Sequence, residues 1–389
     1  MKKEIVFVEY VPNIINLKIA RTLKLSGKYT TTLISFSKVD EELYNKAFDK
    51  LLILDVKHSL NLKNIIKLFK SIFSKETKDF IKSVKELDPY LFQITGPDLF
   101  TMFVMSITKN KPKIYFAYDI WAFYGKKFSI KNLGIKEFFQ KQIEKIGFRK
   151  ADGILHKGPS GELKFLDYKI NKLDLAILPG CLDEWTISNN KKPKAGEIHL
   201  VFAGGPLKSS DGRAHFLEVI KKITSQNIHF HTYGECVNKK DTILFVEEEK
   251  KNKYYHFHPK ERVDNLNKKM SQYTYGINPD FYIKSIINPL WPKTSVANRM
   301  FNYIEAGIPI IINEDAEYMM KIVKDNEIGF SIKYNDLDNL KDIIEKRDYK
   351  KMIDNTKKAQ KKFSWNKNLI SELEEFYKKV IKDKSRKVE

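Results

Sequence analysis

Cysteine is scarce: the chain has two in 389 residues, Cys181 and Cys236, and neither sits in a CxxC pair. That excludes a disulfide framework and a CxxC redox motif, and it points to a reducing compartment. Arginine is scarce too. Seven of the 70 basic residues are arginine, so the surplus of 21 positive charges is carried by lysine. A protein built to read bases leans on arginine forks, and no nucleic-acid-binding module is recognisable, so no nucleic-acid partner is expected. No run of 18 apolar residues occurs, so no membrane-spanning helix is expected. The phosphate loop GxxxxGK[ST] is absent, which removes the ordinary P-loop kinases and ATPases. The opening MKKEIVFVEYVPN lacks a secretory apolar region; Glu4 and Glu9 bracket an apolar run with the length of a buried strand. The expectation is a cytoplasmic protein, free to touch a membrane face.

Apolar material is ample. Hydrophobic residues make up 42% of the chain, enough for packed cores, and the length fits two domains better than one. Short apolar runs alternate with longer helical patterns. Glu4–Glu9, Thr31–Phe36, Leu51–Asp55, Tyr90–Thr95, Lys113–Tyr118, Gly153–His156 and Leu175–Leu178 read as strands. Helical patterns run over Ile14–Leu25, from Asp98 to Thr108 and over Ile135–Lys150. Residues 182–197, LDEWTISNNKKPKAGE, are polar and rich in turn formers, and read as a linker. The rhythm then restarts with strands at Ile198–Ala203, Ile228–Thr232, Tyr255–His258, Tyr273–Asn278 and Ile308–Asn313. Helices are expected over Gly212–Thr224 and Ser295–Ala306, followed by a charged helical tail from Asp336. Strands alternating with helices predict an α/β protein of two tandem Rossmann-like domains, with parallel sheets and ligands at the strand carboxyl ends.

Several segments can carry chemistry. Lys293–Asn313, KTSVANRMFNYIEAGIPIIIN, reads as a helix with Lys293, Thr294 and Ser295 at its start, Gly307 as its cap and a buried strand after it. Such a helix start favours anions; an ordinary amphipathic helix before a core strand fits the same pattern. Asp336-Leu337-Asp338 spells DxD, but its place before a helix suits capping. His229/His231 and His256/His258 are HxH pairs on strands. No third ligand is recognisable at suitable spacing, so no metal is expected. Residues 57–85 hold eight lysines and two acids, with Leu62, Ile65, Ile66, Phe69, Ile72 and Phe73 on one helical face and Lys63, Lys67 and Lys70 on the other. That pattern fits an interfacial helix on an anionic membrane, or a domain helix packed on its sheet with lysines outward.

ANRMFNYIEAGIPIII resembles the donor-binding segment of the GT-B glycosyltransferases of the family 4-like, or group 1, superfamily. In that resemblance Arg299 stands for the motif's basic residue and Tyr303, Gly307 and Pro309 match it. Asn302 and Thr294 replace its two acids. HLVFAGGP (199–206) resembles the strand and glycine loop opening the family's second domain, which implies Gly204 and Gly205 at the donor diphosphate; a tight turn is the simpler alternative. Pro206 and Asp211 stand where relatives carry arginine and lysine, leaving Lys208 and Arg213 as nearby cations. PKIYFAYDIWAFYG (112–125) resembles the strand–His–Asp segment near the reacting sugar, with Tyr118 in the histidine place and Asp119 retained. Asp119 is thereby the candidate catalytic residue, as general base or as the group positioning the acceptor hydroxyl; a loop cap is the alternative. Gly96 and Asp98 would line the acceptor side, although Asp98 is equally placed to cap a helix. His156 ends a strand, where a structural role is the common one.

The resemblance implies a GT-B fold. Residues 1–181 would form the acceptor domain, 182–197 the linker, and 198–365 the nucleotide-sugar domain. Residues 366–389 would return to the first domain, with a cleft between the two. It implies transfer of a hexosyl-type sugar from a nucleotide-diphosphate-sugar donor to a hydroxyl of a cell-envelope glycan or lipid-linked saccharide in polysaccharide biosynthesis. No metal and no cofactor are expected, nor is any association beyond peripheral contact with the inner face of the plasma membrane. The alternatives are a GT-B-fold nucleotide-sugar epimerase, an inactive relative, and a non-catalytic basic polymer-binding protein.

Overall fold

A computed structural model describes residues 2–55, 75–108, 110–123, 135–188, 196–205, 215–236, 239–282 and 290–386. Most of the lysine-rich stretch at 57–85, together with Lys208 and Arg213, lies outside them. The chain divides into two units. One comprises Met1–Ala122, Ser129–Ile177 and Trp365–Glu389; the other comprises Phe123–Phe128 and Leu178–Ser364.

The first unit is built on seven parallel strands: β1 (Lys3–Glu9), β2 (Tyr29–Ser35), β3 (Lys50–Ile53), β4 (Leu91–Gly96), β5 (Lys113–Ala117), β6 (Gly153–His156) and β7 (Leu173–Ala176). Their order is β3-β2-β1-β4-β5-β6-β7. The centre of β1, Ile5 to Val8, is fully buried, as a parallel strand covered on both faces must be. Helices α1 (Ile14–Leu25), α2 (Glu41–Ala47), α3 (Lys75–Glu86), α4 (Leu99–Ile107) and α5 (Ile135–Lys150) supply the crossovers. The strand order reverses between β1 and β4, and in open α/β sheets this switch point is where ligands gather.

The second unit repeats the plan with six parallel strands: β8 (His199–Ala203), β9 (His229–Tyr233), β10 (Tyr255–His258), β11 (Tyr275–Asn278), β12 (Ile310–Asn313) and β13 (Gly329–Ile332). Their order, β10-β9-β8-β11-β12-β13, puts a switch point between β8 and β11. Alternate strand residues feed opposite cores. Leu200, Phe202 and Ile311 join one cluster, while Val201, Ile310 and Ile312 join the other. The helices are α6 (Phe216–Thr224), α7 (Lys239–Lys251), α8 (Val263–Met270), α9 (Leu290–Thr294), α10 (Asn298–Glu305), α11 (Glu317–Asp325), α12 (Leu340–Glu345) and α13 (Tyr349–Lys362). A last helix, α14 (Ile370–Arg386), belongs to the first unit.

Candidate functional site

In the second unit the carboxyl ends of β8 and β9 enclose a cavity of about 440 Å³. It is lined by Ala203, Gly204, Gly205, Tyr233, Gly234, Glu235, Cys236, Lys260, Glu261 and Leu266. Three glycines make it possible. The Gly204 N–H donates to the Tyr233 carbonyl at 2.8 Å, which ties the two loops together. A Cβ on Gly205 would collide with the Glu235 carbonyl oxygen, and one on Gly234 would lie 2.5 Å from the Gly205 nitrogen. Gly234 also has φ 149°, which only glycine adopts without strain.

Arg299, on α10, stands beside this wall. A Cβ on Gly204 would come within 3.5 Å of its guanidinium carbon. The guanidinium lies 4.4 Å from the centroid of the Phe202 ring and its Nη1 is 3.4 Å from Asp280 Oδ2. Four residues on, the fully buried Tyr303 spans the switch point: its hydroxyl accepts from Ala203 N–H and donates to the Ile277 carbonyl, both at 3.0 Å. Asn302 is buried, and its Oδ1 has no hydrogen-bond partner among the described residues.

The helix expected over Ser295–Ala306 starts later than expected, with the short α9 ending just before it. Thr294 ends α9, where its hydroxyl donates to the Leu290 carbonyl at 3.0 Å, and Ser295 N–H donates to Trp291. Both residues belong to the preceding turn, and α10 starts at Asn298 behind Ala297. The expected helix start at Thr294 and Ser295 is therefore corrected: those residues do not form the start of this helix. The DxD acids are also engaged, Asp336 accepting from Lys333 N–H and Asp338 pairing with Lys222.

In the first unit, Asp119 follows β5 and forms an ion pair with Lys157 at 2.9 Å, and the Lys157 ammonium lies 3.9 Å from the centroid of the Tyr118 ring. Burial pulls the Lys157 ammonium down, but Asp119 and Tyr118 outweigh it and hold it above the ordinary lysine value. The buried Glu144 fixes the next stretch by accepting from Trp121 and Ala122 N–H at 2.8 and 3.0 Å; burial pushes its carboxyl up to about 8. Asp98 caps α4, accepting from Phe100 and Thr101 N–H at 2.9 Å, so its carboxylate is spent on the helix start. Burial still raises it to about 6. Gly96 makes room for Tyr115, whose ring would lie 2.6 Å from an added Cβ. His156 is fully buried between Glu162 at 2.6 Å and Asp174 at 3.4 Å.

Glu9, Lys157, Glu144 and the cavity residues Gly234, Lys260 and Glu261 carry no signal in the sequence reading. Glu9 is the most informative of them. It ends β1 at the switch point, fully buried, and accepts from Asn13 N–H at 3.0 Å and from the side-chain amides of Asn13 and Asn16. Asn16 also donates to Thr95 Oγ1 at 2.8 Å and accepts from Gln93 at 2.6 Å, and Gln93 accepts from Tyr377 of α14.

Solved structures share the fold over nearly the whole chain. The pneumococcal O-GlcNAc transferase GtfA in complex with UDP and GlcNAc gives a TM-score of 0.67 at 9% identity, covering 98% of this chain and 99% of that one. A glycosyltransferase from Rickettsia africae ESF-5 gives 0.63 at 13%, covering 98% and 99%. Anabaena HepE in complex with UDP-glucose gives 0.62 at 12%, covering 99% and 100%. None of the curated proteins matches the sequence. The fold is the GT-B fold of the glycosyltransferases, as the resemblance implied. Within it, residues 200–370 match the family model for the glucosyltransferase 3-like C-terminal domain, the part that holds the glycine-walled cavity and Arg299.

Proposed function

We propose that the protein is a glycosyltransferase that moves a sugar from a nucleoside-diphosphate sugar to an acceptor hydroxyl. The supporting observation is the glycine-walled cavity at the ends of β8 and β9 with Arg299 beside it, inside a stretch of glucosyltransferase 3-like type. Glycine walls let a diphosphate approach the backbone, and a cation at the wall offsets the charge that develops on the leaving diphosphate. Arg299 is held by Phe202 and Asp280 before any ligand arrives, so little reorganisation is needed. Lys260 adds a second cation and no metal is invoked. HepE and GtfA carry UDP-glucose and UDP with GlcNAc respectively, so uridine diphosphate sugars are the first donors to test. In the first unit, Asp119 would accept the hydrogen bond of the acceptor hydroxyl and orient it. Its ion pair with Lys157 holds the carboxylate in place, which suits positioning.

The acceptor in this reading is a glycan on a lipid carrier at the cytoplasmic face of a membrane. Val11, Leu99 and Phe103 of the first unit are exposed, and the lysine-rich sequence 57–85 would meet anionic headgroups. No helix among the described residues is long and apolar enough to cross a membrane.

A thermal-shift panel of nucleotides and nucleotide sugars tests the donor half. UDP or a UDP-sugar should raise the melting temperature by mass action. Arg299→Ala should weaken donor binding by roughly 10–100-fold, the loss of a charged hydrogen bond of about 1.5–3 kcal/mol, and leave acceptor binding alone. A chain that answers to no nucleoside diphosphate, or an Arg299→Ala variant with unchanged donor affinity, defeats the assignment. Donor isomerisation without acceptor would favour the epimerase.

A further inference from the structure

Five of the chain's eight histidines lie on three adjacent strands of the second sheet. They are His199 on β8, His229 and His231 on β9, and His256 and His258 on β10. Parallel register sets His199 opposite His229 and His231 opposite His256. The pleat then sends all five side chains to one face, because residues two apart on a strand share it. The rings stack, with His199 to His229 and His231 to His256 both at 4.3 Å between centroids. They also bond through nitrogen: His199 Nδ1 to His231 Nε2 and His229 Nδ1 to His256 Nε2 at 3.0 Å, and His231 Nδ1 to His258 Nε2 at 3.1 Å.

At the outer end of this array His199 Nε2 meets the carboxylate of Glu197 at 3.2 Å. One ligand atom each from Glu197, His199 and His229 lie within 4.8 Å of one another. Two ligands of one tetrahedral ion stand about 3.3 Å apart; the His199 and His229 rings lie within 3° of parallel, so both rings must turn toward a shared ion and the exposed Glu197 must swing to meet it. Each of the two histidines has its Nδ1 engaged by a neighbouring histidine, leaving Nε2 for an ion. Metal-binding imidazoles are commonly held by a hydrogen bond from the second nitrogen, which fixes the tautomer.

We infer that Glu197, His199 and His229 form a binding site for a divalent transition-metal ion, with His231 and His256 fixing the tautomers of the two imidazoles. Imidazole and carboxylate donors select zinc, nickel or copper over calcium or magnesium. The site lies at the start of β8 and the glycine cavity follows its end, roughly 16 Å away at the usual rise of a strand. The ion is therefore separate from the proposed transfer chemistry. It would tie the segment before β8 to β8 and β9.

Titration of the full-length, tag-free, chelator-stripped chain with zinc tests this by calorimetry, with X-ray absorption on the loaded protein. The expected result is one ion per chain with two imidazole nitrogens and a carboxylate oxygen at about 2.0–2.2 Å. His199→Gln and His229→Gln should each weaken binding by more than tenfold. His256→Gln should weaken it by about tenfold, as loss of a hydrogen-bonding partner does. Glu197→Gln guards against loss of folding, because its side chain is exposed; a folded Glu197→Gln chain with reduced zinc affinity supports the site. No stoichiometric zinc binding overturns the proposal, as does undiminished affinity in either histidine variant or in the folded Glu197→Gln chain.

Discussion

Glu9 shows how much one residue's surroundings can alter its chemistry. Burial pushes its carboxyl from the ordinary 4.5 to about 8, while the N–H groups of Asn16 and Asn13 pull the other way and lose. A carboxyl with a higher pKa folded than unfolded keeps its proton in the fold while the unfolded chain gives it up. Its contribution is fully present below about 4.5 and is lost as pH rises to about 8. Glu144, also at about 8, and Asp98, at about 6, act in the same direction. Stability of the first unit should therefore fall between pH 5 and pH 8, with Glu9 contributing on the order of a few kcal/mol. Glu9→Gln removes the titration and should flatten that slope in denaturant melts at pH 5, 6.5 and 8. An identical slope in both proteins would show that Glu9 does not titrate in this range. None of this was legible in the sequence, where Glu9 marks only the end of an apolar strand. Its partner Asn16 sits on α1 and in turn donates to Thr95 of β4, a strand that the sequence does not place beside it. The roles of Asp98 and Asp119 were half legible: a Pro-Asp before a helix announces a cap, but nothing in the spacing links Asp119 to Lys157.

At the scale of elements, α10 is the piece that builds the proposed donor site. It puts Arg299, Asn302 and Tyr303 on one face, since residues three and four apart are neighbours on a helix. Tyr303 bolts that face to the ends of β8 and β11, with its ring against Gly276. Tyr303→Phe keeps the ring and strips both hydrogen bonds. It leaves a buried N–H and a buried carbonyl unpaired, at about 1–3 kcal/mol each. A loss of about 2 kcal/mol or more in unfolding free energy, with weakened donor binding because Arg299 is no longer held in place, is the expected outcome. A Tyr303→Phe chain as stable as the parent would show that α10 is held by other contacts. Most elements were legible because strand and helix periods differ sharply: Ile14–Leu25, Gly153–His156 and Tyr255–His258 are observed at their expected bounds. The start of α10 was not. Thr294 and Ser295 look like caps in sequence, yet the Thr294 hydroxyl bonds back into α9, a short helix that Pro292 made hard to expect. Lys239–Lys251 was missed for another reason: its charged residues hide the apolar face that Phe245 buries.

At the scale of the whole molecule, the chain does not finish one unit before starting the next. Residues 1–177 lack the last piece of the first unit until Trp365–Glu389 is added. That piece is well anchored within the unit. The Tyr377 hydroxyl donates to Gln93, Lys384 pairs with Asp152 at 3.1 Å, and Phe376 and Val380 fill the space that Gly153 leaves open. Leu373, Phe376, Tyr377 and Val380 of α14 are nearly or fully buried. At roughly 1.5–3 kcal/mol for each buried apolar side chain, losing them approaches the 5–15 kcal/mol that typically holds a whole domain. A chain ending at Ser364 should therefore unfold its first unit at a much lower temperature, while the second unit, whose core clusters contain no residue beyond Ser364, keeps its transition and its response to nucleoside diphosphate. Differential scanning calorimetry with and without UDP separates the two events. If truncation leaves the first transition in place, the C-terminal helix is an accessory to that unit and not a structural part of it. If it abolishes the nucleotide response instead, the proposed donor site depends on residues outside the second unit.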